Sequence, residues 1–200
     1  MTVEYGKLPP RDGPPPLVLR NQQPSVLAID PGYRTLGWCY LREGVAPPDA
    51  PSALHRIADY GRLDLRAEAL PARLHELRHG VRELIEGWKP GVVAVELPAI
   101  AGAYRRHGKR AEASVQLLHY AIGVVIACAA HQRGPENVLT MRASGTPKPK
   151  RHVWLASQFR LAKLPLPQGC RGGELPDVLD AVWIGCQVLR TPDWSAVRST

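Results

Sequence analysis

The sequence predicts an α/β fold, and three features of its apolar pattern support that prediction. Short, almost continuous apolar runs such as 26–29 and 92–95 are typical of strands covered on both faces. The segment 70–88 repeats apolar residues at helical spacing, as an amphipathic helix does. After three initial strands, helices and strands alternate, and the helices are long enough to cross back to the sheet. We therefore expect a mixed five-stranded sheet flanked by helices.

The first three strands are predicted to be antiparallel. The apolar run "SVLAI" begins at Ser25, the Pro31-Gly32 pair turns the chain, and "TLGWCYL" returns as the second strand of a hairpin. A loop rich in proline and alanine, residues 42–53, then leads to a third strand near "IADYGRLDL".

The helix that follows carries a single apolar stripe. Its members are Leu70, Leu74, Leu77, Val81, Leu84, Ile85 and Trp88. The tripeptide Lys89-Pro90-Gly91 ends this helix. The next run, "VVAVE" at 92–96, is a fourth buried strand, and like the first it ends on a carboxylate.

Basic and apolar segments follow one another in the C-terminal half. We expect "YRRHGKR", 104–110, to be a basic loop, 112–130 to be a helix, and "NVLTM" to contain the fifth strand. The stretch "SGTPKPKRHVWLASQFRLAK" is interpreted as a basic turn running into a helix. The last helix, 175–189, is apolar on most of its circumference apart from two aspartates.

The length of 200 residues fits one domain with appendages. Residues 1–23 contain five prolines and no periodic apolar pattern, so we predict a flexible Pro-rich arm. Residues 24–190 are expected to form the folded domain, and 191–200 a C-terminal tail.

Composition and charge narrow the class of protein. The longest apolar stretch, 120–130, is short of the ~20 residues that cross a bilayer and is interpreted as a buried helix. The N-terminal segment lacks the apolar core of a signal peptide, so we expect a cytoplasmic protein. The four cysteines form no Cys-x-x-Cys pair, which argues against a structural zinc site or a disulfide framework. The net charge of +8 favours polyanionic partners, nucleic acid before anionic lipid.

Four carboxylates lie where a charged side chain is costly to bury. Asp30 and Glu96 end apolar strands, and Asp177 and Asp180 share one face of the apolar last helix. Clustered carboxylates favour Mg²⁺ or Mn²⁺ over zinc. Taken singly, each acid has a structural explanation: Asp30 suits a turn, and Asp177 suits a helix start after Pro176. Only their joint occurrence indicates a metal site.

A zinc-protease motif is formally present and is rejected. "HELRH", 75–79, matches H-E-x-x-H, which places two zinc ligands one helical turn apart. His75 and His79 project opposite the apolar stripe, and Arg78 puts a cation between them. We therefore expect a solvated polar face.

Two basic segments are candidate nucleic-acid contacts, although such runs are usually solvated surface charge. The first contains Tyr104, Arg105, Arg106, Lys109 and Arg110, and the second contains Lys148, Lys150 and Arg151. The first follows the strand that presents Glu96, and its tyrosine could stack on an unpaired base. The second places cationic side chains at the start of a predicted helix, where free backbone N–H groups can also bind a phosphate.

The sequence resembles RuvC-type Holliday junction resolvases, members of the RNase H-like nuclease superfamily. "AIDPGYRTLGW" is similar to their first strand and hairpin, and "LPARLHELRHGVRELIEGWKPGVVAVE" to their first helix and glutamate-bearing strand. "SVQLLHYAIGVVIACAA", "KRHVWLASQFRLAKLP" and "PDVLDAVWIGC" resemble the later helices, including the lysine-bearing one and the final Asp-x-x-Asp helix. The resemblance runs in order from about residue 25 to 189 and implies an RNase H-like mixed five-stranded sheet.

The resemblance also implies an activity. Asp30, Glu96, Asp177 and Asp180 match the family's catalytic tetrad, which binds two Mg²⁺ ions, with Mn²⁺ as a substitute. Lys150 matches a lysine near the scissile phosphate. The implied enzyme is a homodimer that cuts four-way DNA junctions symmetrically. Alternatives are an RNase H-like nuclease acting on flaps, forks or structured RNA, a junction-binding protein without activity, and a basic scaffold protein.

The sequence departs from the family pattern in two places. The aromatic residue that often follows the glutamate is absent from 97–100, which leaves Tyr104 as a displaced candidate. The segment before Lys150 is short, so either Arg142 or Lys148 could take a second cationic role.

Overall fold

The computed structural model describes residues 25–42, 57–97, 103–142, 152, 153, 155 and 176–190, with the backbone alone for 103–112, 176 and 190. The elements in chain order are β1 (Ser25–Pro31), β2 (Thr35–Arg42), β3 (Ile57–Asp64), α1 (Leu70–Trp88), β4 (Val92–Leu97), α2 (Ala103–Arg133), a 3₁₀ turn (Pro135–Asn137), β5 (Val138–Arg142) and α3 (Pro176–Arg190).

The five strands form one mixed sheet in the order β3-β2-β1-β4-β5. β1 pairs antiparallel with β2, and β2 pairs antiparallel with β3, as the hairpin pattern predicts. β1 and β4 are parallel neighbours, and β5 is parallel to β4. The carboxyl ends of three strands therefore lie along one edge of the sheet.

Helices cover both faces of this sheet. Leu27 and Ile29 of β1 pack with α1 and α2, whereas Val26 and Ala28 pack with α3. All four side chains are fully buried. Because both faces of the strand are covered, its apolar run is continuous rather than alternating.

Helix α1 matches its predicted stripe and its predicted end. Leu77, Val81 and Ile85 are buried on the sheet side. At the end of the helix, Lys89 adopts a left-handed φ of 47° and donates its N–H to the carbonyl of Ile85 at 2.9 Å. This left-handed residue closes the last turn and redirects the chain into β4.

Helix α2 begins earlier than predicted. The segment 104–110, expected to be a loop, is helical in its backbone, and the helix runs from Ala103 rather than from about 112. Alanine, arginine, lysine and glutamate dominate the segment 103–113, and these residues favour helix. The predicted loop at 104–110 is therefore wrong, because the basic residues of this segment also have a high helix propensity.

The part of α2 from Ala113 to Arg133 is long and apolar enough to cross a membrane by length and composition, because it contains an 18-residue window with a mean hydropathy of 1.8. Its buried residues Ala121, Val125 and Ala129 pack against the sheet and α1. The core helix of a soluble protein passes the same test, and 33% of this window is buried in the fold.

Candidate active site

Asp30 and Glu96 lie side by side at the carboxyl edge of the sheet. In the parallel ladder Ile29 is the partner of Val95, and each acid is the next residue of its strand. Both side chains are half-buried. The strand register therefore places two carboxylates together, at the kind of edge where α/β sheets open a crevice.

Asp180 joins them from α3, the helix that packs on the same face of the sheet as Val26 and Ala28. It lies on α3 and is only 1% exposed. One carboxylate oxygen from each of Asp30, Glu96 and Asp180 can be chosen so that all three atoms lie within 4.8 Å of one another. Charges at this separation repel by on the order of 3 kcal/mol per pair at an effective dielectric constant of about 20. A bound cation would relieve that repulsion.

Asp177 lies one turn earlier on α3 and is held by β2. The Thr35 hydroxyl donates a hydrogen bond to its Oδ2 at 2.6 Å. Among the described residues, the group of three convergent acids does not include Asp177. It lies three residues before Asp180, so the two aspartates share one face of α3.

A glycine sets how closely α3 approaches the sheet. A Cβ atom on Gly37 of β2 would overlap the backbone carbonyl of Asp177. Because Gly37 has no side chain, the first turn of α3 rests directly on β2. That contact brings both aspartates of the helix to the strand edge.

A histidine contacts the buried aspartate. Nε2 of His152 lies 2.7 Å from Oδ1 of Asp180, and the histidine side chain is 18% exposed. Three residues later, Leu155 is fully buried in the core that includes α3.

Known proteins share this architecture. The structure is similar to that of T. thermophilus RuvC in complex with a Holliday junction substrate, with a TM-score of 0.58 and 19% sequence identity. The match covers 82% of this chain and 92% of the T. thermophilus chain. The chain has the RuvC-type fold. The yeast mitochondrial Holliday junction resolvase Ydc2 has a TM-score of 0.52 at 14% identity, over 86% of this chain and 80% of its own. The predicted RNase H-like mixed sheet is confirmed.

Sequence relatives agree with the RuvC-type fold. The crossover junction endodeoxyribonuclease RuvC of Oleidesulfovibrio alaskensis is 32% identical over 113 residues, covering 56% of this chain and 60% of the relative. That of Rubrobacter xylanophilus is 36% identical over 72 residues, or 36% of each protein. The chain thus matches less than two thirds of the length of either relative. No protein-family model matches it. The predicted resemblance to RuvC-type resolvases is confirmed.

The predicted cationic residues are only partly described. Lys148, Lys150 and Arg151 lie outside the described residues, and Tyr104, Arg105, Arg106, Lys109 and Arg110 belong to the first turns of α2, where the backbone alone is described. Arg142 is exposed at the end of β5, paired with Leu97 next to Glu96. It therefore lies at the same edge of the RuvC-type sheet as the acids.

The zinc-protease motif faces solvent, as predicted. His75 and His79 are exposed on α1, and Nδ1 of His79 lies 3.4 Å from Glu83. Both belong to an ordinary polar helix face.

Two side chains of the site were absent from the sequence-based prediction. They are Thr35, the first residue of β2, and His152, which lies two residues after Lys150. Neither position carries a composition or spacing signal of its own. His152 could have been suspected because it lies two residues after a candidate catalytic lysine, in a segment that the sequence predicts to be helical.

The donor set of the cluster fits a hard divalent cation. Three carboxylates converge, and no thiolate is among the described residues of the cluster. Mg²⁺ and Mn²⁺ prefer such oxygen ligands. The burial of Asp180 adds to this fit, because a buried carboxylate is stabilised by a cation beside it.

Proposed function

We propose that this chain is a divalent-metal-dependent endonuclease that cuts branched DNA, with four-way (Holliday) junctions as its substrate. The main support is the convergence of Asp30, Glu96 and Asp180, which come from three separate elements and lie within 4.8 Å of one another. The RuvC-type fold and relatives named crossover junction endodeoxyribonuclease add to it. A cytoplasmic location, expected from the sequence, suits this substrate.

Four carboxylates would hold the metal. Asp30, Glu96, Asp177 and Asp180 would together hold two Mg²⁺ ions, with Mn²⁺ as a substitute. When bound, two such ions activate a water and stabilise the leaving oxygen of a phosphodiester. The protein itself keeps the carboxylates aligned on rigid strands and a docked helix, so little reorganisation is needed when the substrate arrives.

Cationic side chains would bind the DNA. We assign Lys150 to the scissile phosphate, where a cation stabilises developing negative charge. The remaining proposed contacts are Tyr104, Arg105, Arg106, Lys109, Arg110, Lys148 and Arg151. Two copies of the chain, acting as a homodimer, would cut opposed strands of the junction symmetrically.

The test is cleavage by the purified full chain with Mg²⁺ or Mn²⁺ on a four-way junction, a flap, a fork and an RNA duplex of matched sequence. We expect paired symmetric cuts in the junction. Asp30→Asn and Glu96→Gln should lower the rate by at least about 100-fold, because metal ligands are lost. Glu83→Gln, at an exposed carboxylate on α1, is the matched control and should cut like wild type.

Other outcomes distinguish the alternatives. Preferential cutting of flaps, forks or RNA would reassign the substrate within the RNase H-like nucleases. Tight junction binding without cutting would favour a binding protein. Equal activity of wild type and Glu96→Gln would overturn the proposed site.

A further inference from the structure

We infer that His152 is a positioning residue for Asp180, holding this carboxylate in the orientation in which it meets Asp30 and Glu96. The inference rests on the metal site of the proposed function and deepens it. Asp180 is 1% exposed, so a charged form of this side chain depends on donors supplied by the protein.

The contact is short and well placed for such a donor. Nε2 of His152 lies 2.7 Å from Oδ1 of Asp180, in the range of charge-assisted hydrogen bonds. An aspartate χ2 torsion has a broad energy profile, so an unheld carboxylate can rotate. A donor fixed on one oxygen sets the plane of the carboxylate. The acid keeps further acceptor lone pairs, which can be used towards a cation.

The histidine is anchored to the helix that carries the acid. His152 and Leu155 are both helical and three residues apart, so they share one side of their segment. Leu155 is fully buried in the same core as Val178 and Val182 of α3. Val153, between them, is 73% exposed. The anchor at Leu155 thus turns the imidazole towards Asp180 and limits its movement.

The geometry favours positioning over direct ligation. Among the described residues, the atoms that converge to within 4.8 Å are those of the three acids, and His152 is not in that group. Its Nε2 is directed at Asp180 Oδ1 instead. Outer partners of this kind orient the ligands that touch the metal.

The experiment measures Mn²⁺ binding to the full chain by calorimetry, beside Mn²⁺-dependent junction cleavage. His152→Ala removes the donor and is expected to weaken Mn²⁺ affinity by about 10- to 100-fold, the usual effect of losing an outer-shell partner. His152→Gln retains an N–H donor and should recover most of the affinity. Val153→Ala, at the exposed neighbouring position, should bind like wild type. Thermal unfolding without metal checks that each variant is folded.

A double substitution separates positioning from general structural support. With Asp180→Asn already present, adding His152→Ala should weaken Mn²⁺ binding no further, because the residue to be positioned is altered. A further loss of similar size would overturn the inference, as would wild-type affinity in folded His152→Ala. Mn²⁺ binding that depends on His152 without any DNA cleavage would refute the proposed function alone. Absence of Mn²⁺ binding by wild type would overturn both.

Discussion

Thr35 donates a 2.6 Å hydrogen bond from its hydroxyl to Oδ2 of Asp177, across 142 residues of sequence. The bond joins the first residue of β2 to the first turn of α3. It therefore holds the start of α3 against β2. β2 is the strand that pairs with β1 next to Asp30.

Removal of this hydroxyl should destabilise the protein and slow cleavage. Hydrogen bonds to charged groups contribute about 1.5 to 3 kcal/mol, so Thr35→Val, which keeps the side-chain shape, should lose stability on that scale. Denaturant unfolding and single-turnover cleavage are the measurements. Thr35→Ser retains the donor and should stay close to wild type. Equal behaviour of the two variants would show that the hydroxyl is unimportant.

Gly37→Ala should disturb the site without altering any polar group. The added Cβ would overlap the backbone of Asp177, which cannot move aside as a flexible side chain can. We expect a loss of about 1 to 3 kcal/mol, typical of overpacking, together with weaker Mn²⁺ binding. Gly87→Ala is the control, since a Cβ there has nothing within 4 Å. In helix α1 that change should be neutral or stabilising by about 0.5 kcal/mol. Equal unfolding midpoints for the two variants would contradict the close contact.

Alkaline pH should destabilise the fold partly through Cys39. Burial raises the pKa of this thiol well above its ordinary value, with smaller contributions from Cys186 and Asp59. In the unfolded chain a thiol titrates near about pH 8.5. Above that pH the unfolded state releases a proton that the folded state retains, so stability falls as pH rises. The decline from this group approaches about 1.4 kcal/mol per pH unit.

Urea unfolding of wild type and Cys39→Ala from about pH 7 to pH 10 measures this effect. The alanine variant loses packing at every pH, but the difference between the two proteins should shrink as pH rises. Groups common to both proteins cancel in that difference. A constant difference across the range would show that the Cys39 thiol does not contribute.

Arg142 should contribute to DNA binding through its charge. It is exposed beside Leu97 at the edge that carries the acids. If it contacts a phosphate, Arg142→Ala weakens junction binding and lowers the slope of log K against log salt by about 1. The control is Arg82→Ala on α1, where the guanidinium is 2.7 Å from Glu86. Identical salt slopes for wild type and Arg142→Ala would exclude a phosphate contact by this residue.

Much of the fold follows from local sequence pattern. The continuous run in β1 and the stripe in α1 predict their elements because each side chain's face is set by the period of its own strand or helix. The start of α2 was predicted wrongly. Its basic residues suggest a loop, although their helix propensity is high.

The candidate site also combines features that local sequence predicts with features that depend on packing between elements. The sequence by itself determined which acids end buried strands and that Asp177 and Asp180 share a helix face. The family resemblance implies that all four acids meet, but only the tertiary structure decided that the described group converging within 4.8 Å contains Asp180 and not Asp177. This depends on parallel strand register and on the close approach of α3 over Gly37. The partners of the two helix aspartates, Thr35 and His152, also come from distant segments. Contacts between elements arise from packing, and no local periodicity encodes them.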